Sequence, residues 1–183
     1  MIAILLAAAC AGDCAAEKAY RALESRVLAS QDVRLHFTTS ARGATTAAFR
    51  GELDVLGPRA HVEARGSLQG KGVSPTLALS GRKDAEGLLL GLLRMGITHN
   101  LVQLSTSGAA DLASARAMAP AAFSRTSDGA LAWTLSREGK RVAEVKLWLD
   151  GRGLPTHRNL TMHLPGGEMK VHEEYARFTV ETR

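Results

Sequence analysis

Residues 49–68, FRGELDVLGPRAHVEARGSL, alternate apolar and polar side chains on both sides of a short break. Phe49, Gly51, Leu53 and Val55 share one parity, and Arg50, Glu52 and Asp54 take the other. After Leu56, Gly57, Pro58 and Arg59 the alternation resumes through Ala60, Val62, Ala64, Gly66 and Leu68. A period of two is the signature of a strand with one buried face, and a Gly-Pro step between two such runs marks a turn. The stretch therefore reads as a hairpin in a sheet covered on one side. Upstream, Val33, Leu35 and Phe37 alternate with Arg34, His36 and Thr38. Downstream, a Gly-rich link from Gln69 to Pro75 leads to a fourth strand, in which Leu77 and Leu79 share a face. Four strands joined by short links form an antiparallel meander.

Helical spacing frames these strands. Asp13 is a capping residue, and Ala16, Tyr20, Leu23 and Val27 recur with a period that predicts an amphipathic helix to about Ser30. From Asp84 to about Leu104 a broad stripe of Leu88, Leu89, Leu92, Leu93 and Ile97 predicts a second helix. Gly87, Gly91 and Gly96 interrupt it, each at about 1 kcal/mol relative to Ala. This helix is expected to break near Gly96 or to depend on tertiary contacts. Residues 105–127, rich in Ala and Ser, read as a mobile connector with one short helix. Strands resume with Leu131, Trp133 and Leu135, then Val145, Leu147 and Leu149, then Leu160, Met162 and Leu164. In the last strand Met169 and Val171 give way to Phe178 and Val180, so the parity flips, which predicts a bulge near Glu174. The fold class is α+β.

With 183 residues and no internal repeat or linker, the chain is expected to form one domain over residues 14–183. The net charge of +5 comes from dispersed cations, the densest run being Arg137, Lys140 and Arg141 around Glu138. Phosphate-backbone binding needs clustered cations, so nucleic acid is not an expected partner. A basic chain does suit work near an anionic membrane. The histidines form no His-x-x-x-His pair, and neither a Gly-x-Ser-x-Gly elbow nor a Gly-x-x-x-x-Gly-Lys loop is present. Glu173 and Glu174 are adjacent, so on a strand they face opposite ways. No catalytic residue, metal or cofactor is expected.

Residues 1–13 look like an export signal. Ile2, Ile4, Leu5 and Leu6 precede Ala7, Ala8 and Ala9, and the small residues end at Cys10. A cysteine in that position resembles the lipidated residue of a bacterial lipobox, which would make Cys10 a membrane anchor. The run is too short to span a bilayer. The alternative is an extension of the first helix in a cytosolic protein, with Cys10 and Cys14 as buried thiols.

The element order, together with Ser127, Asp128 and Gly129 before a strand, Val145-Lys146-Leu147-Trp148-Leu149-Asp150 followed by Gly153-Leu154-Pro155, and a closing Tyr175 with Phe178, resembles the LolA and LolB superfamily of periplasmic lipoprotein carriers over residues 14–182. The resemblance implies a curved antiparallel sheet, an incomplete or half barrel, wrapped around the N-terminal helix and the central helical insertion. It implies an apolar cavity holding acyl chains of a lipid or lipoprotein, in a periplasmic protein fixed to the membrane through Cys10. On that reading Leu35, Phe37, Phe49, Leu53, Leu77, Leu79, Trp133, Leu147 and Leu149 line the concave face. Leu89, Leu92 and Leu93 belong to a movable helical cover, and the small residues Gly51, Ala60, Ala64 and Gly66 leave room for the ligand. A protein-interaction, sensor or assembly module with the same fold, a closed core and no transferred lipid remains the alternative.

Overall fold

A computed structural model describes residues 12–181; Cys10 and the rest of the lipobox-like segment before Gly12 lie outside them. Among the described residues the chain runs α1 (Cys14–Ala29), β1 (Asp32–Gly43), β2 (Ala47–Leu56), β3 (Arg59–Leu68), β4 (Lys71–Val73) and β5 (Thr76–Ser80). It continues through α2 (Arg82–Met95), α3 (Ile97–Ser107) and α4 (Ser114–Ala117), then β6 (Ala119–Arg125), β7 (Leu131–Arg137), β8 (Lys140–Leu149), β9 (Pro155–Leu164) and β10 (Gly167–Glu181).

The strands form one antiparallel sheet in the order β4-β3-β2-β1-β10-β9-β8-β7-β6, with β5 also paired to β3. Two meanders are thus joined where the first strand meets the last, through the β1–β10 ladder. The β4/β5 edge does not pair with the β6 edge, so the sheet stays an open half barrel. The alternation read from the sequence sets the register: Leu35 lies opposite Leu53, and Leu53 opposite Val62, all on the inner face. Helices α1, α2 and α3 bury their apolar stripes against that face in one continuous core. β2 and β3 pack closely at two glycines. A Cβ on Gly51 would lie 2.9 Å from the Ala64 Cβ, and one on Gly66 would lie 1.9 Å from the Ala48 carbonyl oxygen. These glycines admit neighbouring backbone, a common use of glycine in strands.

α1 begins as anticipated, with Asp13 Oδ1 accepting hydrogen bonds from the N–H groups of Ala15 and Ala16 at 2.9 and 3.1 Å. Its buried face is Ala16, Tyr20, Leu23 and Val27. Gly96, at φ +84°, ends α2 and starts α3, which places the break where the sequence puts it. Two expectations change. The stretch 105–127 is not simply a connector, since it completes α3 and contains α4 and the edge strand β6. Small residues and an irregularity at Ala122, where φ is +52°, erase the alternation that would have revealed that strand. The bulge in β10 lies past Glu174. Arg34 and His36 pair with Thr179 and Ala176, and Arg177 between them has φ +55°. The inward parity therefore runs through Glu173 and Tyr175 before it shifts to Phe178.

Candidate functional site

The inner face carries one polar row among its apolar ones. Across β1, β10, β9 and β8 the register aligns Thr39, Glu173, Arg158 and Leu147. Glu173 is fully buried and Arg158 is 1% exposed. Desolvating such a pair costs several kcal/mol per ion, so it persists only with dense compensation. The compensation comes from the interruption at Gly96. Arg158 donates from Nη1 to the Leu92 carbonyl at 2.5 Å and from Nη2 to the Leu93 carbonyl at 2.7 Å, near the C-terminus of α2. Glu173 Oε1 accepts from the Thr98 N–H at 2.8 Å and from its hydroxyl at 2.6 Å, in the first turn of α3. The cation thus meets the negative end of one helix and the carboxylate the positive end of the next, the favourable sense for both dipoles. The two side chains approach to 3.8 Å, Arg158 Nη1 to Glu173 Oε2.

Two aromatic residues complete the clamp. The Tyr175 hydroxyl donates to Glu173 Oε2, and the Arg158 guanidinium carbon lies 6.0 Å from the ring centres of both Trp133 and Tyr175. Burial pushes the Tyr175 hydroxyl well above its usual range; Arg158 opposes the shift and Glu173 adds to it. A Cβ at Gly96 would fall 2.4 Å from Glu173 Oε1, so only glycine fits where the carboxylate reaches the helix break. The acceptors of Glu173 are committed to the fold, which suits a clamp and not an acid–base catalyst.

α2 and α3 are held differently. The buried face of α2 is Ala85, Leu88, Leu89, Leu92, Leu93 and Met95, with glycines between. On α3, His99 Nε2, Asn100 Nδ2 and Ser105 Oγ are buried without a protein partner, as is Thr39 Oγ1 on the sheet. An unpaired buried polar group costs about 1–3 kcal/mol. The docking of α3 is accordingly weaker than its apolar contacts alone would make it. Burial also lowers the pKa of His99, against the opposing charge of Asp111.

Open space occurs at one end of the half barrel. A pocket of about 320 Å³ lies between the end of α1, the β2–β3 turn and the start of α2, with Leu28, Val55, Pro58, Ala85 and Leu89 on its walls. An Arg82–Glu86 ion pair at 2.9 Å stands on its α2 side. The volume is at the lower end of the range for small-molecule sites, and the walls are apolar as in such sites.

The residues singled out in the sequence all join the same core. Leu35, Phe37, Phe49, Leu53, Trp133 and Leu147 are buried on the inner face, Leu89, Leu92 and Leu93 are buried on α2, and Leu77, Leu79 and Leu149 are partly buried against them. The helices occupy the concave face, and of these residues Leu89 borders the open pocket. Sequence reasoning missed Arg158 and Thr98, and considered Glu173 only beside Glu174 as an acid–base pair. The signal was present for the two charges, since Glu173 shares parity with Val171 and Tyr175, and Arg158 with Leu160. Cys14 is an exposed free thiol, which removes it from the buried-thiol alternative. Among the described residues, no helix is long and apolar enough to cross a membrane.

No family model matches the chain, and no curated protein does. The chain is similar to a solved structure of the LolA superfamily. That protein comes from Nitrosomonas europaea; the likeness covers 91% of this chain and 93% of that one, with 11% sequence identity and a TM-score of 0.38.

Proposed function

We propose that this protein is a periplasmic, non-catalytic binding protein for acyl chains of lipids or lipoproteins, anchored to the membrane through Cys10. The observation that carries the reading is the apolar pocket at the mouth of the half barrel. It is walled by α2, whose inner side is a stripe of leucines next to the Gly96 break. An acyl chain enters beside Leu28, Val55 and Leu89 and extends along the concave face, where Leu35, Phe37, Phe49, Leu53, Leu77, Leu79, Trp133, Leu147 and Leu149 are its proposed contacts. Exchanging one apolar partner for another keeps the leucines out of water, so the hydrophobic cost of opening is small. Movement of α3 restores water to His99, Asn100 and Ser105, which offsets part of what undocking loses.

A second reading, a protein-interaction or sensor module with a closed core, is favoured by one observation: the helices already fill the concave face. A polarity-sensitive fatty-acid probe separates the two. Under the lipid-binding reading the wild-type protein brightens the probe saturably. Leu89→Arg and Leu79→Arg, each checked for folding by circular dichroism, weaken binding by roughly tenfold or more, because a cation in an apolar site lacks its water. Folded variants that bind the probe as the wild type does, or a wild type that does not bind it, would put the closed module first.

A further inference from the structure

An open half barrel has two sheet margins, and each leaves backbone groups that another strand can pair with. The β6 margin is blunted. It carries Pro120 and Arg125 and leaves strand geometry at Ala122, and the chain entering α1 covers it, Asp13 donating its N–H to the Phe123 carbonyl at 2.9 Å. The other margin is bare. β4 and β5 follow β3 in one register, with Lys71 opposite Leu68 and Ser80 opposite Arg59, and no charged residue lies between Gly72 and Ser80. The ladder decides which groups this margin exposes. Ala64 donates its N–H to the Pro75 carbonyl at 3.0 Å, and Gly81 donates to the Pro58 carbonyl at 2.8 Å. Antiparallel partners alternate between bonded and non-bonded pairs, so Leu77 and Leu79 bond to β3, and the N–H and C=O groups of Thr76, Ala78 and Ser80 point away from it. No second strand flanks β5 among the described residues. Pro75 belongs to the bonded set, so its missing N–H faces β3 and leaves the open side free. Thr76, Ala78 and Ser80 are exposed, while Leu77 and Leu79 rest partly buried on the core.

We propose that this edge pairs antiparallel with the same edge of a second copy of the chain, about a two-fold axis at Ala78. Thr76-Leu77-Ala78-Leu79-Ser80 reads nearly alike in both directions, as an isologous contact requires. Around that axis Ala78 meets Ala78 and Thr76 meets Ser80, which satisfies the outward N–H and C=O groups of all three residues in each copy. Leu77 meets Leu79 in the closely spaced non-bonded pairs, so the apolar inner row continues across the junction. The flanks agree with this pairing. Pro75 falls opposite Gly81, which has no side chain to clash with it, and the Glu63 end of one copy lies toward the Arg59 end of the other. A strand of five residues buries less than the roughly 1,600 Å² of a standard interface. The dimer is therefore weak and concentration-dependent. It does not rest on acyl-chain binding.

Sedimentation velocity of the full chain over a wide concentration range tests the pairing. The wild type should move from monomer toward dimer as concentration rises, with hydrogen exchange slowed at the Thr76, Ala78 and Ser80 amides. Ala78→Lys and Ala78→Glu each set like charges opposite one another at the axis. Each should raise the dissociation constant at least tenfold, with circular dichroism checking that the fold is kept at this exposed position. An equimolar mixture of the two variants should dimerise again, because opposite charges then meet at the axis, a recovery that damage to the fold would not give. A wild type that stays monomeric at every concentration, or a dimer in which those amides are not slowed, would overturn the proposal. So would folded variants that dimerise as the wild type does, or a mixture that stays monomeric.

Discussion

Arg158 and Glu173 are the residues on which the helical insertion hangs, because each holds the end of a different helix at the Gly96 break. Removing one charge leaves the other buried without compensation, which costs about 3–5 kcal/mol. Glu173→Gln should lower unfolding stability in urea by that order, whereas adding Arg158→Met to it should cost less than the two single changes summed. Additive losses would show that the pair is not coupled. His99 gives a second prediction, in pH. Unfolded, its imidazole takes up a proton as the pH falls below about 6.5, while burial keeps the folded form neutral to lower pH against the pull of Asp111. The unfolded state then binds more protons, so stability falls as the pH drops through that window. Denaturation midpoints between pH 7 and pH 5 should show the slope, and His99→Gln should flatten it. The parity of β9 and β10 makes both clamp charges visible in the sequence as polar residues on an apolar face. Their partners are not legible there, because the Leu92 and Leu93 carbonyls and the Thr98 N–H come from a distant segment whose placement only the fold determines.

Between elements, the contrast is between α2, whose buried face is leucine, and α3, which buries polar atoms without protein partners. Segments held by packing with poor internal propensity open at a fraction of the global unfolding free energy. Hydrogen exchange of residues 86–104 should therefore be faster than that of the flanking strands in the ligand-free protein and slower once an acyl lipid is bound. The slowing should be greatest on α3. Equal and high protection with and without lipid would make both helices fixed parts of the core. The leucine stripe and the break at Gly96 can be read directly, since period and glycine position are local properties. β6 cannot, because Ala119, Pro120, Ala121 and Ala122 offer no contrast between faces. Its strand character comes from pairing with β7 and from the packing of Phe123 on Tyr20, with ring centres 5.2 Å apart.

At the scale of the molecule, two meanders meet at the β1–β10 ladder and leave a half barrel open between the β4/β5 and β6 edges. Alternation over β1, β2, β3, β7, β8 and β9 makes the strands, and hence the antiparallel class, legible from residue order alone. Closure of the first strand on the last is not, because no local pattern records which strands from opposite ends of a chain will pair. The same limit applies to the pocket, whose walls combine Leu28, Val55 and Leu89 from three separate elements. The apolar inner face, filled by its own helices and open at one mouth, is proposed as the place where an acyl chain is taken up. Native mass spectrometry of the full chain, purified from membrane-containing extract without detergent exchange, tests this directly. Acyl-chain binding predicts a population heavier by the mass of a lipid, released on activation and lost in folded Leu89→Arg. A single ligand-free mass in the wild type, unaltered after incubation with excess phospholipid, would contradict it.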